Sequence, residues 1–187
     1  MDSSCFIDVA KARVKRGAPD RRDDVWFVRA LMEAALHDEL EVYVSALTVA
    51  ECTHADGDIS DATQKLFGSL LTSGQYTKQV QPDPFIAIDA RDLRWKHGIT
   101  LAGADGLHVA SALFMKCDEF LTTDEKGPLR HEAKLKALGM RVAFPKNTNL
   151  LPSKYRQGKL FDEPKVARKA AVAAPAKRAR ARRKAPR

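Results

Sequence analysis

Cysteine is scarce in this 187-residue chain: Cys5, Cys52 and Cys117 are far apart and odd in number. No CxxC pair or Cys/His grouping at metal spacing occurs. A disulfide scaffold and a thiolate zinc site are thereby excluded, and reduced, partly buried thiols are expected. There is no long apolar run to cross a membrane and no basic-then-apolar leader for export, so the expected location is the cytoplasm. No internal repeat is present, and no Ser/His/Asp grouping suggests a protein nucleophile. Acids are absent from one end. Residues 165–187 contain ten Lys/Arg, nine Ala, two Pro and two Val. Removing those ten from the 32 Lys and Arg leaves 22 against 24 acids, a net of −2, although the whole chain carries +8. The positive excess thus lies entirely in the tail, and the body is mildly acidic.

What is present is a regular alternation of apolar patterns. DDVWFVRALMEAALHD (23–38) places Val25, Val28, Leu31, Met32, Ala35 and Leu36 at helical spacing, with Asp23 or Asp24 as cap. LEVYV (40–44) reads as a buried strand, and Ser45 caps a helix over ALTVAECTHA. The DGD stretch at 56–58 is a break, and residues 59–73 predict another helix. Asp83 and Pro84 open a helix that runs to about Lys96. Beyond GITLAGAD (98–105) the pattern predicts a helix over 105–116, a strand over 119–122, a helix over 127–138 and a last strand over 140–144. Strands separated by helices indicate an α/β fold with a parallel sheet and right-handed crossovers. Ligands in such sheets sit beyond the carboxyl ends of the strands.

Three acids map to that edge. Glu51 follows the strand ending near Ser45, Asp105 begins a helix after the GITLAGA connection, and Asp124 lies just beyond EFLT. Carboxylates gathered there repel one another unless a hard divalent cation neutralises them. Oxygen-only ligands favour Mg²⁺ or Mn²⁺ over zinc, and such an ion suits phosphodiester hydrolysis.

Four blocks carry a resemblance to a known family: DSSCFID, VSALTVAEC (44–52), GADGLHVASAL (103–113) and FLTTDEK (120–126), with ARDLRWKHGI (90–99) between the second and third. In order and spacing they resemble PIN-domain nucleases, the fold of VapC-type toxin ribonucleases. The resemblance covers about residues 1–146 and implies a three-layer fold, a central parallel sheet flanked by helices. It implies Asp2, Glu51, Asp105 and Asp124 as metal-binding acids for Mg²⁺ or Mn²⁺. Ser3 and Thr122 match hydroxyl positions, and His108 matches a residue expected to support the acids by hydrogen bonding rather than to transfer protons. An alternative first acid is Asp8, if CFI is a three-residue strand that ends there. The implied activity is an endoribonuclease that hydrolyses RNA with a metal-activated water. The implied partners are RNA, a cognate antitoxin and a second copy in a homodimer.

Other expectations concern the ends. A central strand is needed before Asp2 and only Met1 is available, so either a stunted strand or a start codon further upstream is expected. Residues 147–164 read as a linker and 165–187 as a disordered basic tail able to bind phosphate backbones. QGKLF (157–161) has the form of short peptides that dock on the bacterial sliding clamp. Together these support the alternative of a nucleic-acid-binding or DNA-processing PIN protein recruited to DNA.

Overall fold

Phe120 and Leu121 are adjacent in sequence, yet each is buried in a different apolar cluster. Successive strand residues point to opposite faces, so a strand buried on both sides must lie between two layers. Val142 and Ala143 divide in the same way, as do Tyr43 and Val44. A computed structural model, describing residues 1–14, 22–52 and 60–156, shows the mixed helix–strand architecture that follows.

In chain order its elements are α1 (Ser3–Val14), α2 (Arg22–Leu36), β1 (Tyr43–Ser45), α3 (Ala46–Glu51), α4 (Asp61–Phe67), β2 (Lys78–Val80), α5 (Pro84–His97), α6 (Gly103–Phe114), β3 (Glu119–Leu121), α7 (Glu132–Ala137), β4 (Arg141–Ala143) and α8 (Ser153–Arg156). All described strand pairs are parallel. Tyr43 stands opposite Lys78 in the β1–β2 pair, and Glu119 opposite Arg141 in the β3–β4 pair. No strand joins the two pairs among the described residues. Met1 and Asp2 bridge them instead: the Met1 nitrogen donates to Tyr43 O at 2.8 Å and Asp2 N to Leu121 O at 2.9 Å. Met1 and Asp2 thus contribute one hydrogen bond to each pair, and this places Asp2 at the carboxyl end of β3.

One apolar layer packs Phe6 and Ala10 of α1 with Leu31, Met32 and Ala34 of α2 against Val44 and Leu121. The other packs Ile86 and Leu93 of α5, Val109 of α6 and Leu135 of α7 against Phe120 and Val142. Local signals set the helix starts. The Ser45 hydroxyl accepts from Leu47 N, and Asp83 accepts from Ile86 N with Pro84 at the first helical position. Gly98, at φ 60°, closes α5 in the left-handed conformation that glycine adopts without strain.

Several expectations need correction. CFI lies inside α1, so it is not a strand and Asp8 sits in mid-helix. The strand expected at 40–44 is Tyr43–Ser45, because Glu39 and Glu41 engage Lys154 and Lys78 at the surface. The helix expected over 105–116 begins earlier, at Gly103. The helix expected over 127–138 starts as a 3₁₀ turn, Pro128–His131, before α7. β2 was not anticipated: as a partner of β1 alone it buries only Val80, so it shows no alternation to read. Residues 147–156 are not a linker. Leu151 is buried, Thr148 donates to Glu119, and α8 packs on α2. The break at 56–58, the QGKLF motif and the basic tail lie outside the described residues. No described helix is long and apolar enough to cross a membrane.

Candidate metal centre

Thr122 is the first residue beyond β3, and its fully buried hydroxyl organises the site. It donates to Asp2 Oδ2 at 2.7 Å and accepts the Asp124 N–H at 3.0 Å. One side chain therefore fixes two acids. Asp2 is almost fully buried and is held by further donors: Ser3 N at 2.8 Å on Oδ1 and Ser4 Oγ at 2.8 Å on Oδ2. Ser4 Oγ also accepts the Thr123 N–H at 3.0 Å, tying α1 to the loop after β3. Ser4 thus supports the site more than Ser3, whose hydroxyl lies at 3.4 Å from Asp2.

Glu51 ends α3, six residues beyond its Ser45 cap, and remains partly exposed. Its Oε2 lies 2.7 Å from Nε2 of buried His108, one turn along α6 from Asp105. His108 Nδ1 is buried without a partner. With Nε2–H donating to Glu51, Nδ1 carries only a lone pair, a cheaper group to leave unpaired than an N–H. Donor atoms of Asp2, Glu51 and His108 all lie within 4.8 Å of one another.

Asp105 occupies the first turn of α6, and Asp124 projects from the loop after β3. Gly127 shows that their carboxylates converge. A Cβ at that glycine would stand 2.7 Å from Asp124 Oδ2 and 3.5 Å from Asp105 Oδ2. A side chain there would crowd both carboxylates, so the position needs close approach. Burial first, then the charges of Asp2 and Asp124 with a smaller part from Glu51, push the Asp105 carboxyl above its usual range; His108 opposes the shift. Among the described residues no lysine or arginine pairs with Asp2, Glu51, Asp105 or Asp124. Asp8 lies apart, accepting from Thr123 Oγ1 at 2.7 Å, and Glu125 is exposed.

The cysteines offer no nucleophile. All three are free thiols. Burial pushes Cys52 up to about 12, with Glu51 adding to the shift, and raises Cys5 further still. Thiolates are the reactive species, so these groups are inert at neutral pH.

The PIN-domain family model matches residues 2–134, most of the chain. The chain belongs to the PIN-domain family. No curated protein and no solved structure matches it. A PIN domain implies a nuclease, typically one that uses divalent metal ions. The donor set of this PIN domain fits such an ion. Hard carboxylate oxygens with one imidazole nitrogen nearby, and charge that no lysine or arginine among the described residues neutralises, suit a divalent cation.

Sequence reasoning missed two residues of the centre. Ser4 was legible only as a small polar residue after Asp2, because its partners Thr122 and Thr123 are more than a hundred residues away. Gly127 carried a signal in the Gly-Pro pair that opens the Pro128 turn, but nothing local connects it to Asp124.

Proposed function

We propose that this PIN domain is a divalent-metal-dependent endoribonuclease and the toxin of a toxin–antitoxin pair. The observation that carries the nuclease reading is the convergence of Asp2, Glu51, Asp105 and Asp124 at the carboxyl edge of the strands, without a lysine or arginine partner among the described residues. The toxin assignment and the choice of RNA are supported by the likeness of DSSCFID, VSALTVAEC, GADGLHVASAL and FLTTDEK to VapC-type proteins.

Asp2, Glu51, Asp105 and Asp124 would hold Mg²⁺ or Mn²⁺, and the ion supplies Lewis acidity and charge neutralisation for phosphodiester hydrolysis. The chain's own residues provide preorganisation. Thr122 and Ser4 fix the Asp2 carboxylate, so it need not be ordered when the centre assembles. His108 holds one oxygen of Glu51 and leaves the other free. Thr122 and Gly127 set the backbone and the space that aim Asp124 toward Asp105. As a toxin the protein would require an antitoxin that covers this acidic edge, and it would act as a homodimer.

Labelled single-stranded RNA incubated with the full chain and Mn²⁺ tests the reading. Cleavage is expected to leave 5′-phosphate ends, to stop on adding EDTA and to be absent for Asp105→Asn. Cleavage that survives both chelation and the substitution overturns it. Growth arrest on expression, relieved by a small protein encoded beside the gene, is the outcome expected of a toxin; no arrest removes that role.

A further inference from the structure

Trp95 is 71% exposed near the end of α5, an unusual setting for an indole. It lines a groove of about 350 Å³ between α5 and the start of α6, with Arg91 and Arg94 on one side and Leu101, Ala102 and Gly103 on the other. Gly98 turns the chain from α5 back to this floor, so the groove runs along the first turn of α6. Gly103 and Gly106 both line it, and Asp105 lies between them in sequence. Helix geometry turns Gly103, Gly106 and Leu107 toward α5 and Asp105 toward the opposite side, so the groove and the acid centre flank α6, about 10 Å apart.

Its chemistry is mixed. The Arg91 guanidinium lies 4.6 Å from the centroid of the Trp95 ring and also pairs with Asp92 at 2.9 Å. That stacking holds the indole on one side and leaves it largely exposed. Arg94 is exposed, with no ion-pair partner among the described residues. A flat aromatic surface beside a free guanidinium matches a nucleotide, whose base stacks and whose phosphate pairs. Charge complementarity favours a strand over a protein partner. The acid centre repels phosphates, so a strand that reaches it needs cations at its edge.

We propose that the Trp95–Arg91–Arg94 groove is a nucleobase-stacking subsite that seats one nucleotide of a single-stranded substrate, across α6 from the acid centre. This rests on the nuclease reading for its role and names the strandedness of that substrate. Duplex bases are already stacked on their neighbours, so single strands are selected.

Trp26→Phe in the full chain leaves Trp95 as the sole tryptophan, which is excited selectively over the three tyrosines. Titration with a short single-stranded pyrimidine oligoribonucleotide in EDTA, where no cleavage occurs, is expected to quench its emission saturably, and a duplex of equal length to leave it unchanged. By fluorescence anisotropy Trp95→Ala weakens binding about tenfold, and Trp95→Phe recovers part of the loss. Arg94→Ala lowers the slope of log affinity against log salt by about one. Unquenched emission at saturation, or equal affinity of Trp95→Ala, overturns the subsite. So does a dimer that becomes monomeric in Trp95→Ala with oligonucleotide affinity intact, which makes this face a subunit contact. Quenching with no cleavage on adding Mn²⁺ removes the nuclease reading and leaves the stacking site standing. Tighter binding of the matching oligodeoxyribonucleotide contradicts RNA as the preferred strand and supports the groove as a reader of bases.

Discussion

The two ends of the strands treat buried acids in opposite ways. At the amino end, Glu119 is 4% exposed and accepts from Arg141, from Thr148 at 2.6 Å and from Asn149 N at 3.0 Å. Elsewhere in the fold Asp24 of α2, equally buried, accepts Lys146 N at 3.0 Å with the Lys146 ammonium 3.8 Å away. At the carboxyl end, Asp2, Glu51, Asp105 and Asp124 share hydroxyls, one imidazole and backbone N–H groups, but no cation of the described chain. Buried charge is costly unless paired. Glu119 and Asp24 are paired with cations of the chain, whereas the carboxyl-edge acids have no such partner among the described residues.

The largest effect expected from this contrast is on catalysis. Asp124→Ala should lower nuclease activity by at least about a hundredfold, as for loss of a metal-centre residue, with urea stability unchanged or raised. At the amino end the reverse holds. Arg141→Ala strands Glu119 and should cost about 2–3 kcal/mol in urea unfolding, because Arg141 is only partly buried, with activity per folded molecule unchanged. If Arg141→Ala leaves stability intact, the contrast between the two ends fails.

Smaller changes sharpen it. Gly127→Ala pushes a methyl against Asp124 Oδ2 and should lower activity by about tenfold, the range seen for groups that orient metal ligands, while the melting temperature falls little. The smallest effect concerns pH. A carboxyl held above its ordinary value contributes stability that is present at low pH and lost as pH rises through the raised value. Asp105 should therefore destabilise the metal-free chain at neutral pH. Asp105→Asn should raise the melting temperature of that form at pH 7. The gain should vanish in acid below about pH 4, where the unperturbed carboxyl is protonated.

Much of this was legible in the sequence, and for local reasons. The starts of α3 and α5 follow from Ser45 and the Asp83–Pro84 pair, whose partners lie within three residues. The doubly buried β3 and β4 show as short apolar stretches, Phe120–Leu121 and Val142–Ala143, each preceded by a charged residue. Asp105 and Asp124 could be placed because each lies within a few residues of an element's end. What was not legible depends on distant pairs. β2 is a strand only because Val42 O and β1 offer it an edge. The packing of residues 146–156 rests on Glu119 and Asp24, far back in the chain. Ser4 and Gly127 matter because they touch Thr123 and Asp124 across the fold or around a turn, and periodicity does not report such contacts. Trp95 reads as an ordinary helix residue until its exposure is seen.

The central claim is that the carboxyl-edge acids form a site for a divalent cation. Isothermal titration of the full chain with Mn²⁺ measures this without any substrate. Saturable binding to wild type, lost in Asp105→Asn and weakened in His108→Ala through its hold on Glu51, is the predicted result. No binding to wild type, or an isotherm unchanged by Asp105→Asn, would contradict it.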